Sequence, residues 1–211
     1  MKGFYRFLHR TFAPLIRLIF NIRVEGRDNE PNNGNESLLV CANHLSAGDA
    51  VWLCATLKHH HPHFMAKAEL FKIPLLRGLI KFFGAYPVER GGSDVSSVRN
   101  TISFLKNGVC VGMFPQGTRQ KEKDPAETPV KNGAGMIAVR SGVDVLPVMI
   151  VTKGFKSTLF GRKKIIIRDP IPCKLISEMH ESGMSYHQIS QYIFKEICAL
   201  NSPSLTEGAK S

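Results

Sequence analysis

The stretch Ser37-Leu-Leu-Val-Cys-Ala-Asn-His-Leu-Ser-Ala-Gly-Asp-Ala-Val-Trp52 decides the fold. Residues 38–42 are a continuous apolar run of strand length, which predicts a strand buried on both faces. Residues 47–58 read as a helix. A buried strand that passes through a short loop into a helix is the repeating unit of an α/β sheet. At the joint stand Asn43, His44 and, five residues after the histidine, Asp49. Such folds place their chemistry on the loops that leave the strands. A carboxylate there can fold back onto one ring nitrogen, fix the tautomer and leave the other nitrogen as a base. The same spacing also fits a helix cap beside a loop histidine.

The pattern repeats along the chain. Further strands are expected around 64–66, at 85–89, 109–114, 145–151 and 163–168. Helices are expected at 72–83, from Ser93 or Asp94 to Lys106, at 132–140 and at 186–200. Polar or charged loops fall at 29–36 and 119–130, and the last ten residues read as a frayed end. The apolar run 73–83 could wall a tunnel for an apolar chain, extend a membrane face or simply pack into the core. The expected fold is α/β, a mixed, largely parallel sheet flanked by helices, with an N-terminal amphipathic helical membrane-associating segment. Residues 1–24 form that segment, 25–201 a single domain and 202–211 a flexible tail.

Composition narrows the partners. The chain has 211 residues and a net charge of +11, so acidic partners are expected: anionic lipid, phosphorylated substrates, an acidic carrier protein or nucleic acid. Residues 1–24 hold Lys2, Arg6, Arg10, Arg17 and Arg23 and no acid. On a helical wheel, positions 2, 6, 10 and 17 share one face, while Phe4, Phe7, Leu8, Phe12, Leu15, Leu18 and Ile19 take the other. Pro14 is expected to break the segment into two short helices. No run reaches the ~18 apolar residues of a spanning helix, and no signal peptide is evident. A segment lying in the membrane interface fits this pattern, and so does a helix packed on the domain with its charges in water.

The five cysteines form no CxxC pair and suit buried, reduced thiols. His59-His60-His61 with His63 reads as a solvated turn beside a proline; no metal and no cofactor are expected. Phe160-Gly-Arg-Lys-Lys164 reads as a basic hairpin tip.

The second chemical candidate is Phe114-Pro-Gln-Gly-Thr-Arg119. It too follows a buried strand. Gly117 permits a tight turn, and backbone N–H groups, the Thr118 hydroxyl and the Arg119 guanidinium can cradle a phosphate. An ordinary strand-to-loop turn with an exposed arginine has the same letters. Lys67 and Arg90 lie between the two candidates and are either anion holders or surface charge. No nucleophile sits in a GxSxG setting, so a base without an enzyme nucleophile points to direct attack by a substrate hydroxyl.

Together these residues resemble the glycerolipid acyltransferases, in particular the bacterial 1-acylglycerol-3-phosphate acyltransferases, over roughly residues 20–175. Asn43-His44-x4-Asp49 matches the NHxxxxD motif, and Gly84-x5-Arg90 looks like the second motif. Phe114–Arg119 looks like the third, usually FPEGTR, and Val145-Leu-Pro-Val148 like the fourth. Lys131-Asn-Gly133 is similar to the Lys-x-Gly helix start. The resemblance implies that 25–201 is an acyltransferase domain. It implies acyl transfer from a thioester donor, acyl-CoA or acyl carrier protein, to the sn-2 hydroxyl of lysophosphatidic acid, giving phosphatidic acid. His44 would be the base and Asp49 its orienting partner. Lys67, Arg90 and Arg119 would hold the phosphate, with Gln116, Gly117 and Thr118 shaping that pocket. The expected place is an anionic membrane surface, the cytoplasmic face of the cell membrane, in monotopic or peripheral association. No nucleic acid is expected. Other lysophospholipid or amino-lipid acceptors, and a non-catalytic basic membrane- or nucleic-acid-binding protein, are the competing readings. One residue departs from the pattern: Gln116 stands where the family usually has Glu.

Overall fold

The computed structural model describes residues 2–32, 37–74, 77–78, 80, 84–88 and 94–199. Seven strands make one sheet: β1 Ile22–Glu25, β2 Leu39–Ala42, β3 His63–Lys67, β4 Tyr86–Val88, β5 Val111–Met113, β6 Val145–Thr152 and β7 Lys163–Ile167, in the order β1-β7-β6-β2-β5-β3-β4. Every neighbouring pair is parallel except β6 with β7. The sheet is therefore mixed and largely parallel, as expected. The helices are α1 Lys2–Ile19, α2 Asp49–Thr56, α3 Asp94–Lys106, α4 Gly133–Ser141, α5 Cys173–Glu181 and α6 Tyr186–Cys198.

The apolar runs are continuous because both faces of the central strands are covered. Leu38, Val40 and Ala42 join Leu146, Val148, Ile150, Ile165 and Ile167 in a cluster with Trp52 and Leu53 of α2. Leu39 and Cys41 point the other way, into a cluster with Val145, Met149 and residues of α3 to α6 such as Leu105, Ile137, Ile176 and Ile193. The period-2 alternation of a strand thus feeds two cores at once. Lys163 shares its face with Ile165 and Ile167, so it points towards α2 rather than into water.

Some expectations are corrected. α1 runs through Pro14 without a break. A mid-helix proline costs ~3 kcal/mol in isolation. Here Ala13 is buried and Arg17 Nη1 donates to Ala55 O at 2.7 Å, so docking on α2 holds the turns on either side of it. Arg17 therefore does not belong to a solvated basic face. β1 begins at Ile22, so the sheet takes its first strand from the end of the N-terminal segment. α5 is a helix where none was expected. The basic hairpin tip is present, but Lys163 at its base is fully buried. Half of the expected helix at 72–83 lies outside the described residues; Pro74, Arg77, Gly78 and Ile80 are helical, and most of the apolar wall is among the residues not described.

The histidine-rich turn has a structural job. Glu30 is buried and accepts from the N–H groups of Lys58 (2.7 Å), His59 (2.7 Å) and His60 (2.9 Å), and from His60 Nδ1 at 3.2 Å. Burial opposes the charge of this carboxylate, but the hydrogen bonds from His60 and the three backbone amides outweigh it and lower its pKa.

Candidate active site

His44 follows β2 after Asn43, at the carboxyl end of the parallel strands. Asp49 opens α2 and is fully buried. Its Oδ2 accepts from Leu45 N at 2.6 Å and Ser46 N at 2.8 Å, and its Oδ1 accepts from Ser46 Oγ at 2.8 Å. His44 Nδ1 lies 2.8 Å from the same Oδ2. An oxygen that already accepts two amide protons is a carboxylate acceptor, so Nδ1 carries the hydrogen. The lone pair is then on Nε2, which leaves that nitrogen able to act as a base. Asp49 thus caps the helix turn and orients the histidine at once; the two readings of the spacing are compatible.

The ring is held from its face as well. Phe114 stacks on His44 with centroids 3.9 Å apart, and Phe64 stacks on Phe114 at 5.4 Å. Gly112 makes room for this column: a Cβ there would sit 2.2 Å from the Phe64 ring. Below the loop, Asn43 works as a strand extension. Its Oδ1 accepts from Ile150 N at 2.7 Å and its Nδ2 donates to Ile150 O at 3.0 Å, which fixes the end of β2 against β6.

The turn after β5 closes over the same loop. Gln120 N donates to His44 O at 2.8 Å. Gln116 is buried, its Oε1 accepting from His44 N at 2.7 Å and its Nε2 donating to Thr128 Oγ1 at 2.6 Å. Thr128 Oγ1 in turn donates to Pro125 O at 2.7 Å. The amide is engaged at both ends within the protein, so Gln116 is a clasp between His44 and the 119–130 loop. The neutral residue fits because Thr128 Oγ1 gives its hydrogen to Pro125 O, so one end of the amide accepts and the other donates. Gly117 adopts φ +71°, and a side chain there would run into Lys131, whose Cδ would lie 2.7 Å from its Cβ. The Thr118 hydroxyl accepts from Gln120 Nε2 at 3.2 Å, and Thr118 and Arg119 are exposed.

Arg119 lines a cleft of about 310 Å³ with Leu45, Ser46, Ala47, Lys121 and Lys156; Glu122 is its one acid. The three residues directly after the base therefore form one wall and basic side chains another, which suits an anionic substrate. Lys67 ends β3 at the same carboxyl end of the parallel strands, and Arg90 lies outside the described residues. Sequence reasoning missed the roles of Phe114, Thr128 and Lys156, because their partners are distant in the chain. Lys131 carried a signal in its Lys-x-Gly context but was not assigned a place beside Gly117.

Behind the site, Lys163 Nζ spends all its donors: on Gly161 O at 2.7 Å, Leu159 O at 2.8 Å and Phe20 O at 3.3 Å. It also sits 4.5 Å from the centre of the Trp52 ring. Burial lowers its pKa, and the charge of Asp49 pulls the other way.

Known proteins share this chain's sequence pattern and fold. The sequence pattern of the family described as Acyltransferase matches residues 21–151. The 1-acyl-sn-glycerol-3-phosphate acyltransferase of Bacillus subtilis is 29% identical over 169 residues, spanning 79% of this chain and 82% of that one. The enzyme of the same name from Streptococcus pneumoniae is 28% identical over 187 residues, spanning 87% and 68%. The crystal structure of the 1-acyl-sn-glycerophosphate acyltransferase PlsC from Thermotoga maritima superposes with a TM-score of 0.71 at 25% identity, covering 98% of this chain and 81% of that one.

Proposed function

Because the chain belongs to the acyltransferase family and is an O-acyltransferase, we propose that it acylates the sn-2 hydroxyl of lysophosphatidic acid to give phosphatidic acid, taking the acyl group from a thioester, acyl-CoA or acyl carrier protein. The observation that carries this reading is the His44 Nδ1–Asp49 Oδ2 bond of 2.8 Å beside a basic cleft. His44 Nε2 removes the hydroxyl proton as the oxygen attacks the thioester carbonyl. Asp49 stabilises the imidazolium that forms. Collapse of the tetrahedral intermediate breaks the C–S bond, and the departing thiolate recovers the proton from Nε2. Arg119, Lys121 and Lys156 hold the acceptor's phosphate, with Lys67 and Arg90 as further candidates for that task.

The acceptor is a lipid, so the enzyme works at a bilayer. Among the described residues, no helix is long and apolar enough to cross one. On α1, Phe12, Leu15, Leu18 and Ile19 are exposed. They fall within one face of the wheel, opposite the side docked on α2. In our reading α1 lies in the interface of the cytoplasmic leaflet, a monotopic or peripheral attachment.

The test is transfer of labelled acyl groups to lysophosphatidic acid, from each donor separately. His44→Ala and Asp49→Asn should lower kcat by roughly 10²–10⁴ while the fold is kept. Full activity in folded variants would sink the mechanism, and faster transfer to an acceptor without a phosphate would sink the assigned substrate.

A further inference from the structure

The antiparallel return of β7 decides what surrounds the site. β6 runs parallel to β2, so the segment leaving it, 153–162, emerges at the end of the sheet that carries His44. β1 is parallel to β7 and opens with Ile22 beside Lys163, so the end of α1 arrives at that same end. The two meet: Phe20 and Phe160 stack with their planes 4° apart and centroids at 5.9 Å. Lys163 ties them from beneath by donating to Phe20 O on one side and to Leu159 O and Gly161 O on the other.

This segment has two unlike parts. Lys156, Ser157 and Thr158 line the cleft next to Ser46 and Arg119. The next two residues turn outward, Leu159 being 59% and Phe160 64% exposed. Such exposure is hard to account for in water, since burial of either side chain is worth about 1.5–3 kcal/mol. Around the tip the charge is of one sign. Residues 153–164 hold Lys153, Lys156, Arg162 and Lys164 at the surface, above the buried Lys163, and no acid. Two acids pair with this set, Glu25 with Lys164 at 2.9 Å and Glu122 with Lys156 at 3.6 Å, which leaves Lys153 and Arg162 as its surplus charge.

We propose that Leu159 and Phe160 are a second membrane-insertion element, which enters an anionic bilayer beside α1 and seats the mouth of the substrate cleft on the lipid surface. The apolar pair supplies the insertion and the basic ring selects anionic headgroups. Because the cleft wall and the wedge are one continuous segment, the acceptor's phosphate reaches Arg119 while its acyl chain stays in the bilayer. The assignment rests on the reading of α1 as an interface helix.

The experiment uses the full chain with vesicles of neutral lipid alone or with an added anionic lipid. It compares wild type, the pair Leu159→Ser/Phe160→Ser, and an α1 control, Phe12→Ser/Leu18→Ser. The loop pair should weaken partitioning onto anionic vesicles roughly tenfold or more. It should slow acylation of bilayer-held lysophosphatidic acid and leave unchanged the rate with a short-chain, monomeric acceptor. Phe160→Trp should show blue-shifted emission that brominated lipids quench, against the buried Trp52 as an unquenched background. Unchanged partitioning of the loop pair, with the α1 control impaired, overturns the wedge and leaves the α1 reading standing. Failure of wild type to bind vesicles overturns both. Equal binding to neutral vesicles removes the role given to the basic ring.

Discussion

Replacing Gln116 by leucine separates a residue that handles substrate from one that holds the base. Leucine keeps much of the volume and removes both ends of the amide. His44 N–H then loses its acceptor at 2.7 Å, and Thr128 loses the donor at 2.6 Å. Thr128 retains its bond to Pro125 O, so the unmet cost falls on the histidine amide. A buried donor left alone costs about 1–3 kcal/mol, and the lost amide–hydroxyl bond about 1 kcal/mol more. A total of about 2–4 kcal/mol corresponds, for a chain of this size, to a fall in Tm of roughly 4–16 °C. The catalytic effect follows from position. The backbone of His44 is loosened while the cleft walls are untouched, so kcat should fall by about 10–100-fold with KM for the acceptor unchanged. Thermal denaturation and steady-state kinetics over a range of acceptor concentrations measure both quantities. A raised KM with an intact kcat would refute the clasp and make Gln116 a substrate ligand. Gln116→Glu still accepts from His44 N, and Thr128 can turn its hydroxyl towards the carboxylate. That variant should retain activity; its loss in a purified, folded protein would show that the neutral amide is required.

Two other perturbations test the surroundings of the base. In Gly112→Ala the new methyl meets the Phe64 ring, which cannot yield freely because it stacks on Phe114 and through it on His44. The expected cost is about 1–3 kcal/mol together with a reduced kcat; unchanged values of both would mean that the column does not position the ring. Glu30 has a folded pKa below its ordinary 4.5, so its contribution to stability is present above pH 4.5 and is lost as pH falls through the folded value. Urea unfolding should therefore show Glu30→Gln less stable than wild type near neutrality, with the gap closing in acid. A gap that widens in acid would contradict the sign of the shift.

The motif strands and their loops were legible because they are local. An apolar run, a histidine and an acid at short range specify a strand end and a helix start, and the structure puts His44 and Asp49 in contact there. What stayed hidden depends on distant parts of the chain. Asn43 shows its purpose only against Ile150, and Gln116 only between His44 and Thr128. Ile22–Glu25 alternates charge with apolar residues at the sheet edge, which is a weak strand signal directly after a strong helical one. Pro14 was read by its local cost, which docking on α2 offsets. α5 was obscured by Pro170 and Pro172 in front of it, although a proline just before a helix marks a start as readily as a loop.

The pairing of β1 with β7 also sets an order of events. Ile22 finds its sheet partner only at Lys163, close to the end of the strand-forming part of the chain. Contacts so remote in sequence close late, and a ribosome delivers the N-terminal helix long before the strand that anchors it. During synthesis α1 is therefore free of the sheet, with its apolar face open, while the catalytic loop is still being assembled behind it. The seat of α1 against the sheet is thus completed only when β7 is in place.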